Sequence, residues 1–180
     1  WNLRGIEIEL YSGSGVFSRK KFDNASKLLI DNCTVEKGWE ILDLGCGYGP
    51  VGITLAKLYP DNKIRMTDVS KRAYKLSKMN IDLHKLKNIE LFQGNLFDKV
   101  KDKMFDTVIV NPPMVAGRKL CFDMIDGSFD RLKKGGLLQI VARHQKGGKV
   151  LEKHMEEKFG NVEQIAKKSG FRVYISKKEE

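Results

Sequence analysis

The sequence predicts an open α/β fold: a mostly parallel sheet wound with helices on both faces. Three observations predict it. A short apolar run at 39–44 carries Asp43 near its end and opens into glycines at alternate positions, Gly45, Gly47 and Gly49, before an apolar helical segment. From there on, short β-branched runs alternate with segments of helical period, the pattern of parallel strands joined by crossover helices. The last two runs, VEQIAKK (162–168) and FRVYISKK (171–178), are separated only by Ser169-Gly170. Two residues suffice for a hairpin, so the sheet should carry an antiparallel pair at one edge.

The first unit is the strand, turn and helix of WEILDLGCGYGP and the residues after it. Glycines here remove β-carbons where the backbone bends sharply and let a ligand lie against the main chain. A dinucleotide fingerprint has the spacing G-x-G-x-x-G. This chain has G-x-G-x-G, with Pro50 where the spacer should run, which disfavours a nicotinamide cofactor. The helix that follows spans Val51 to Tyr59, and KIRMTD (63–68) is the second strand. Ser70 caps a helix whose Ala73, Leu76, Met79 and Leu83 keep a helical spacing. IELF is a third strand, FDTVIV (105–110) a fourth, and GLLQIVA (136–142) a fifth, after a helix that ends at Lys133-Lys134-Gly135. Asp68 closes the second strand, where a carboxylate can accept hydrogen bonds from two ribose hydroxyls.

The fourth strand stops at Asn111-Pro112-Pro113-Met114. No strand continues through two prolines, because each removes a ladder donor. The position adds a second meaning. Open α/β sheets bind ligands beyond the carboxyl ends of their strands, so this tetrad and the glycine turn should line one crevice.

These residues carry a resemblance. Asp43 with its three glycines resembles the first motif of class I S-adenosylmethionine-dependent methyltransferases. Asn111 to Met114 is similar to the (Asn/Asp)-Pro-Pro-(aromatic) motif of those that modify exocyclic amines of bases or the glutamine side-chain amide, with Met114 for the aromatic. GVFS (15–18), then Asp23-Asn24-Ala25-Ser26 and the FGNVE and GFRVYISKK endings, extend the likeness over nearly the whole chain. They resemble the small-subunit rRNA guanine-N2 methyltransferase family, a small methyltransferase domain, and most closely its stand-alone archaeal members. The resemblance implies a Rossmann-like methyltransferase fold of seven strands with an antiparallel C-terminal hairpin. It implies S-adenosyl-L-methionine held by Asp43, Gly45, Cys46, Gly47, Gly49, Asp68, Val69, Asn95, Leu96, Phe17 and Ser26, with Asn95 where the family usually has an Asp reading the adenine amine. Catalysis falls to Asn111, Pro112, Pro113 and Met114. Substrate contacts are expected from Phe17, Met114, Arg143 and His144, and from Lys133 and Lys134 in the basic clusters.

Length and charge fit this expectation. The 180 residues suit a single domain, an N-terminal covering segment at 1–36 on a core at 37–180. A start at Trp1 suggests that leading residues are missing. A net charge of +10 suits a polyanionic partner such as rRNA, or a merely solvated lysine-rich surface. Cys33, Cys46 and Cys121 form no C-x-x-C pair, His84, His144 and His154 are scattered, and no metal site is expected. No long apolar run or signal peptide is visible, so a cytoplasmic enzyme with no membrane contact is expected. The target is guanine N2 or cytosine N4 in RNA. The alternatives are a protein glutamine N5 or small-molecule methyltransferase, or a catalytically silent cofactor-binding RNA module. Cytosine C5 chemistry is disfavoured because it needs a cysteine nucleophile beside the tetrad.

Overall fold

In the computed structural model, residues 1–13, 16–17 and 22–180 are described, and 16–17 by backbone alone. Two small hairpins come first, β1 (Asn2–Leu3) with β2 (Ile6–Glu7) and β3 (Tyr11–Ser12) with β4 (Val16–Phe17), followed by α1 (Asn24–Asn32). The core then runs β5 (Glu40–Leu44), α2 (Pro50–Leu58), β6 (Lys63–Asp68), α3 (Lys71–Leu83), β7 (Ile89–Gln93), β8 (Phe105–Val110), α4 (Arg118–Arg131), β9 (Leu132–Arg143), α5 (Lys149–Phe159), β10 (Glu163–Lys168) and β11 (Phe171–Lys177). Seven strands form one sheet in the order β10-β11-β9-β8-β5-β6-β7. Pairing is parallel from β7 to β9, and β11 runs antiparallel to both of its neighbours.

The expected architecture is present. Ser169 and Gly170 take φ of +52° and +83°, the left-handed pair that closes a two-residue hairpin with the twist of its strands. Strand alternation divides the core in two. Ile41, Ile64, Ile109 and Val141 face α1 and α2, while Leu42, Leu44, Val108 and Ile140 face α4 and α5. Burying both faces explains why these strands read as continuous apolar runs.

One expectation is corrected. The helix before the fifth strand ends at Arg131, and Lys133-Lys134-Gly135 belong to β9, where the pairing with β8 shifts register between Phe105 and Thr107. Gly135 has φ of +83°, which places a bulge and not a helix cap there. In α3 the buried face is Leu76, Ser77 and Asn80, while Met79 and Leu83 are exposed. Polar side chains won that face because the glycine turn they meet has carbonyls to satisfy.

Strand order also positions the crevice. The chain builds outward from β5 through β6 to β7, then returns to the other side of β5 with β8. The carboxyl ends of β5 and β8 therefore sit side by side while their loops leave in opposite directions, the switch point at which such sheets bind ligands. The opposite sheet edge is a charge cluster. Buried Arg65 pairs with Glu40 and Glu90, and Lys133 Nζ lies 3.2 Å from Asp106.

Gln139, fully buried in β9, locks α1's exit to the sheet. Its Nε2 donates to the Thr34 carbonyl (2.8 Å) and to Thr107 Oγ1 (2.9 Å), and its Oε1 accepts from Thr34 N–H (2.7 Å). Gln139→Leu keeps the volume but strands the Thr34 peptide groups. It is expected to cost about 1–3 kcal/mol, read as a lower urea midpoint with an unchanged m value.

Candidate active site

The glycine turn is held from beneath. Gly45 and Cys46 N–H both donate to the Thr67 carbonyl at 2.9 Å, and Gly47 N–H donates to Asp68 Oδ2 at 2.9 Å. From α3, Ser77 Oγ donates to the Gly47 carbonyl (2.7 Å), and Asn80 Nδ2 donates to the carbonyls of Tyr48 (2.8 Å) and Tyr11 (2.9 Å). The sequence reading missed Ser77 and Asn80. Their signal was a polar i, i+3 pair on a helix otherwise read by its apolar residues.

The turn's shape requires glycine. Gly45, Gly47 and Gly49 have φ of +73°, +60° and +94°, a region that costs other residues energy. At Gly49 a β-carbon would also lie 2.6 Å from Ile53 Cδ1 and 2.9 Å from Met66 Cε. At Gly47 it would meet nothing within 4 Å, so the space over that peptide is open to a ligand.

Around the opening stand a carboxylate and apolar walls. Asp68 accepts from Gly47 N–H with one oxygen and from Ser70 N–H (2.9 Å) with the other, which fixes its plane. Val69 beside it is 65% exposed, unusual for a valine at the end of a core strand. Leu96, half-buried in the loop after β7, has φ of +48°, a conformation a branched side chain adopts only under constraint from its surroundings. Asn95 is exposed in the same loop. An acceptor for ribose hydroxyls, apolar edges for a planar base and an open glycine peptide together fit S-adenosyl-L-methionine.

Asp43 and Cys46 lie deeper. Asp43 is 4% exposed, and its Oδ2 accepts from Gly52 N–H at 2.9 Å, bracing the start of α2. Burial, more than the Asp68 charge, pushes its pKa from 3.8 up to about 7. Cys46 Sγ faces Ser77 Oγ (3.7 Å), and burial pushes its thiol well up. Both side chains support the turn from below, so only backbone at 46 faces the opening.

The Asn-Pro-Pro loop follows β8 on the other side of the switch point. Asn111 Nδ2 donates to Asp23 Oδ2 (3.2 Å) and Ser26 Oγ (3.3 Å), and Asp23 Oδ2 also accepts from Ser26 N–H (2.8 Å) as the cap of α1. With its nitrogen held, the amide has Oδ1 left to accept. Ser26, buried, thus meets Asn111. Asp23 joins the site through the same pair of bonds, a contact between residues 88 apart in sequence. The Pro112 carbonyl accepts Met114 N–H at 3.0 Å and keeps one lone pair for a second donor. Met114 packs its sulfur 4.0 Å from Cys121 Sγ. Cys121 is buried and its thiol pushed up in pKa, an environment that opposes a thiolate nucleophile.

The other expected substrate contacts are spread over the sheet, and only Arg143 stands at its crevice edge. His144 is buried, with Nδ1 2.7 Å from Tyr174 Oη, and burial pushes its pKa down, so it is a core histidine and not a phosphate ligand. Arg143, exposed at the end of β9, lies over the Phe171 ring at 4.6 Å. Lys133 and Lys134 lie at the start of β9, the sheet edge away from the crevice. The Phe17 side chain and the Arg19-Lys20-Lys21 cluster lie outside the described residues. Among the described residues no group of His, Cys, Asp and Glu could hold a metal.

The Asp43 shift has a pH consequence. A carboxyl with pKa 3.8 unfolded and about 7 folded leaves the native state holding the extra proton between those values. Its contribution to stability is therefore full below about pH 4 and lost as pH rises through about 7. Asp43→Asn keeps an acceptor for Gly52 N–H and cannot ionise. Urea midpoints measured from pH 4 to 8 should fall less steeply for the variant than for the parent.

The family model of the methyltransferase small domain matches residues 7–175. A Bacillus subtilis protein, YbxB, is 38% identical over 182 aligned residues, covering 99% of this chain and 90% of its own length. Ribosomal RNA small subunit methyltransferase C of Salmonella newport is 34% identical over 178 residues, and this chain spans 50% of that protein's length. Among solved structures, a T. thermophilus 16S rRNA N2 G1207 methyltransferase with AdoMet and guanosine superposes with a TM-score of 0.81 at 22% identity, over 99% of this chain and 49% of that one. A Pyrococcus furiosus methyltransferase gives a TM-score of 0.71 at 20% identity, over 81% of this chain and 77% of that one. With the glycine turn in place and the family model spanning nearly its whole length, the chain belongs to the small methyltransferase domain family and is an S-adenosyl-L-methionine-dependent methyltransferase.

Proposed function

We propose that this chain methylates an exocyclic amine of a base in RNA, with guanine N2 or cytosine N4 of small-subunit rRNA as the target. The observation that carries the reading is the fixed amide of Asn111. Its Nδ2 is engaged by Asp23 and Ser26, so the group presented beside the glycine turn is an acceptor pair, Asn111 Oδ1 and the second lone pair of the Pro112 carbonyl. An exocyclic NH2 brings two donors. A ring nitrogen or hydroxyl nucleophile would match only half of that pair.

When bound, the cofactor would supply an electrophilic methyl on a sulfonium: the N–C bond forms as the C–S bond breaks, a neutral thioether leaves, and the methylated amine gives up one N–H proton to solvent. The chain's part is to orient and to desolvate. Asn111 and Pro112 draw the two N–H bonds out of the ring plane, which returns the lone pair to the nitrogen. Met114 offers a polarisable thioether edge to the base. Cys121, neutral and buried, offers no covalent route. A base paired in a duplex cannot reach such a crevice, so the target is single-stranded or flipped.

The rRNA methyltransferases among the similar proteins support RNA, and the T. thermophilus enzyme supports N2 of guanine in particular. The net charge of +10 supports a polyanion. Such a substrate would place the enzyme in the cytoplasm, and among the described residues no helix is long and apolar enough to cross a membrane.

The test is transfer of radiolabelled methyl from the cofactor to unmodified small-subunit rRNA made by transcription, or to total ribosomal protein, followed by hydrolysis to nucleosides or amino acids. Label in N2-methylguanosine or N4-methylcytidine is expected; label in methylglutamine overturns the reading. Asn111→Ala should keep cofactor affinity by calorimetry and lose on the order of a hundredfold in single-turnover rate, the scale for deleting one preorganised polar group. Full activity in that variant would make the tetrad only a strand stop.

The amide's anchors make a separate prediction. Ser26→Ala and Asp23→Ala free Nδ2, and each is expected to lower kcat roughly tenfold through loss of orientation while leaving cofactor Kd unchanged. Asp23→Asn retains an acceptor oxygen and should recover most of the rate. Equal losses in cofactor binding for Ser26→Ala would instead place that hydroxyl on the cofactor.

A further inference from the structure

The tetrad does not end at the crevice. Met114 to Ala116 make one tight turn leading into α4, and Val115 at its tip is 102% exposed, the most exposed large apolar residue among the described ones. Behind Met114 opens a cavity of about 180 Å³ lined by Arg118, Lys146, Gly147, Val150 and Leu151 as well as Met114. The Met114 methyl rests directly on Gly147, where a β-carbon would lie 2.4 Å from it. A second hollow of about 280 Å³ shares Arg118 and Val150 and runs on between α4 and α5 past Phe122, Lys153 and His154 to Glu157, the one carboxylate on its lining. The two form one groove.

Its walls have a definite chemistry. The near cavity carries two cations and no carboxylate. Among the described residues Arg118, Lys146 and Lys153 form no ion pair, whereas neighbouring Lys119 is paired with Asp123. The groove's far wall is flat and aromatic. Phe122 stacks on the His154 ring at 3.8 Å and 4°, and His154 Nε2 is held by Asp126 at 2.7 Å. Uncommitted cations for phosphates, apolar and aromatic surfaces for bases, and an opening onto the catalytic tetrad are the components of a single-stranded nucleic-acid site.

We propose that the α4–α5 groove holds the RNA strand flanking the target base, with Arg118, Lys146 and Lys153 on its phosphates and Val115 against the base step from which the target is drawn. Apolar side chains inserted at a step hold neighbouring bases apart. The inference rests on the RNA reading above but names a surface that reading does not need. Peptide substrates fit it less well, because they would bring no regular charge to the three cations.

The test is the triple variant Arg118→Gln, Lys146→Gln, Lys153→Gln, all exposed positions, beside Lys133→Gln, Lys134→Gln at the far sheet edge. Rates are measured on transcribed small-subunit rRNA, and RNA affinity is measured against salt. The triple variant should raise KM for RNA about tenfold or more and flatten the log–log salt slope by about 2, roughly 0.7 per phosphate contact on a single strand. Cofactor Kd, melting temperature and kcat at saturating RNA should stay at parent values, and the far-edge pair should change nothing. A triple variant with parental KM and slope overturns the groove while the RNA reading stands. A parent enzyme that labels no RNA overturns both.

Discussion

The structure depends on one turn that only glycine can make. After β5 the backbone passes through three left-handed residues in five positions, and a β-carbon at Gly49 would enter the side chains of Ile53 and Met66. That geometry starts α2 directly beneath the sheet edge and leaves the Gly47 peptide uncovered. It also creates carbonyls that must be satisfied. Ser77 and Asn80 of α3 do so, and Asn80 at the same time grips Tyr11 of the N-terminal hairpins. One steric demand thus decides which face of α3 is buried and ties the first residues of the chain to the cofactor side of the sheet.

The Asn-Pro-Pro side is built by the opposite logic. Here the prolines remove freedom, and the flexible Asn111 side chain is fixed by partners from the start of α1. Asp23 serves twice, as helix cap and as anchor for the amide. A cap is worth about 1 kcal/mol to a helix; its value here lies more in orientation, since an amide turned by 180° would present donors to a donor. The start of α1 therefore contacts the Asn-Pro-Pro loop directly and does not merely lie over it.

Charge is distributed with similar economy. The chain carries +10 overall, yet Lys133, Arg65, Glu40, Glu90 and Asp106 neutralise one another at the sheet edge away from the crevice. Arg118, Lys146 and Lys153, which line the α4–α5 groove proposed for the strand, stand beside the tetrad at the other end of the fold.

By itself the sequence determined whatever depends on neighbours in the chain. The glycine turn, the KIRMTD strand, the Ser70 cap, the strand stop at Asn111 and the Ser169-Gly170 hairpin are local steric or hydrogen-bonding demands, and each stands where it was read. Tertiary structure decided what depends on which elements meet. Lys133 and Arg143 belong to the same strand, but its two ends lie at opposite sheet edges, so only Arg143 stands at the crevice edge. His144 follows Arg143 by one residue and points into the core instead, onto Tyr174. Asp43 faces Gly52 because a strand's alternation turns it under the helix it precedes. The bond from Asn111 to Asp23 crosses most of the chain and leaves no periodic trace in it. Spacing along a sequence sets a residue's local conformation; the partner that gives it a role is set by the winding of the sheet.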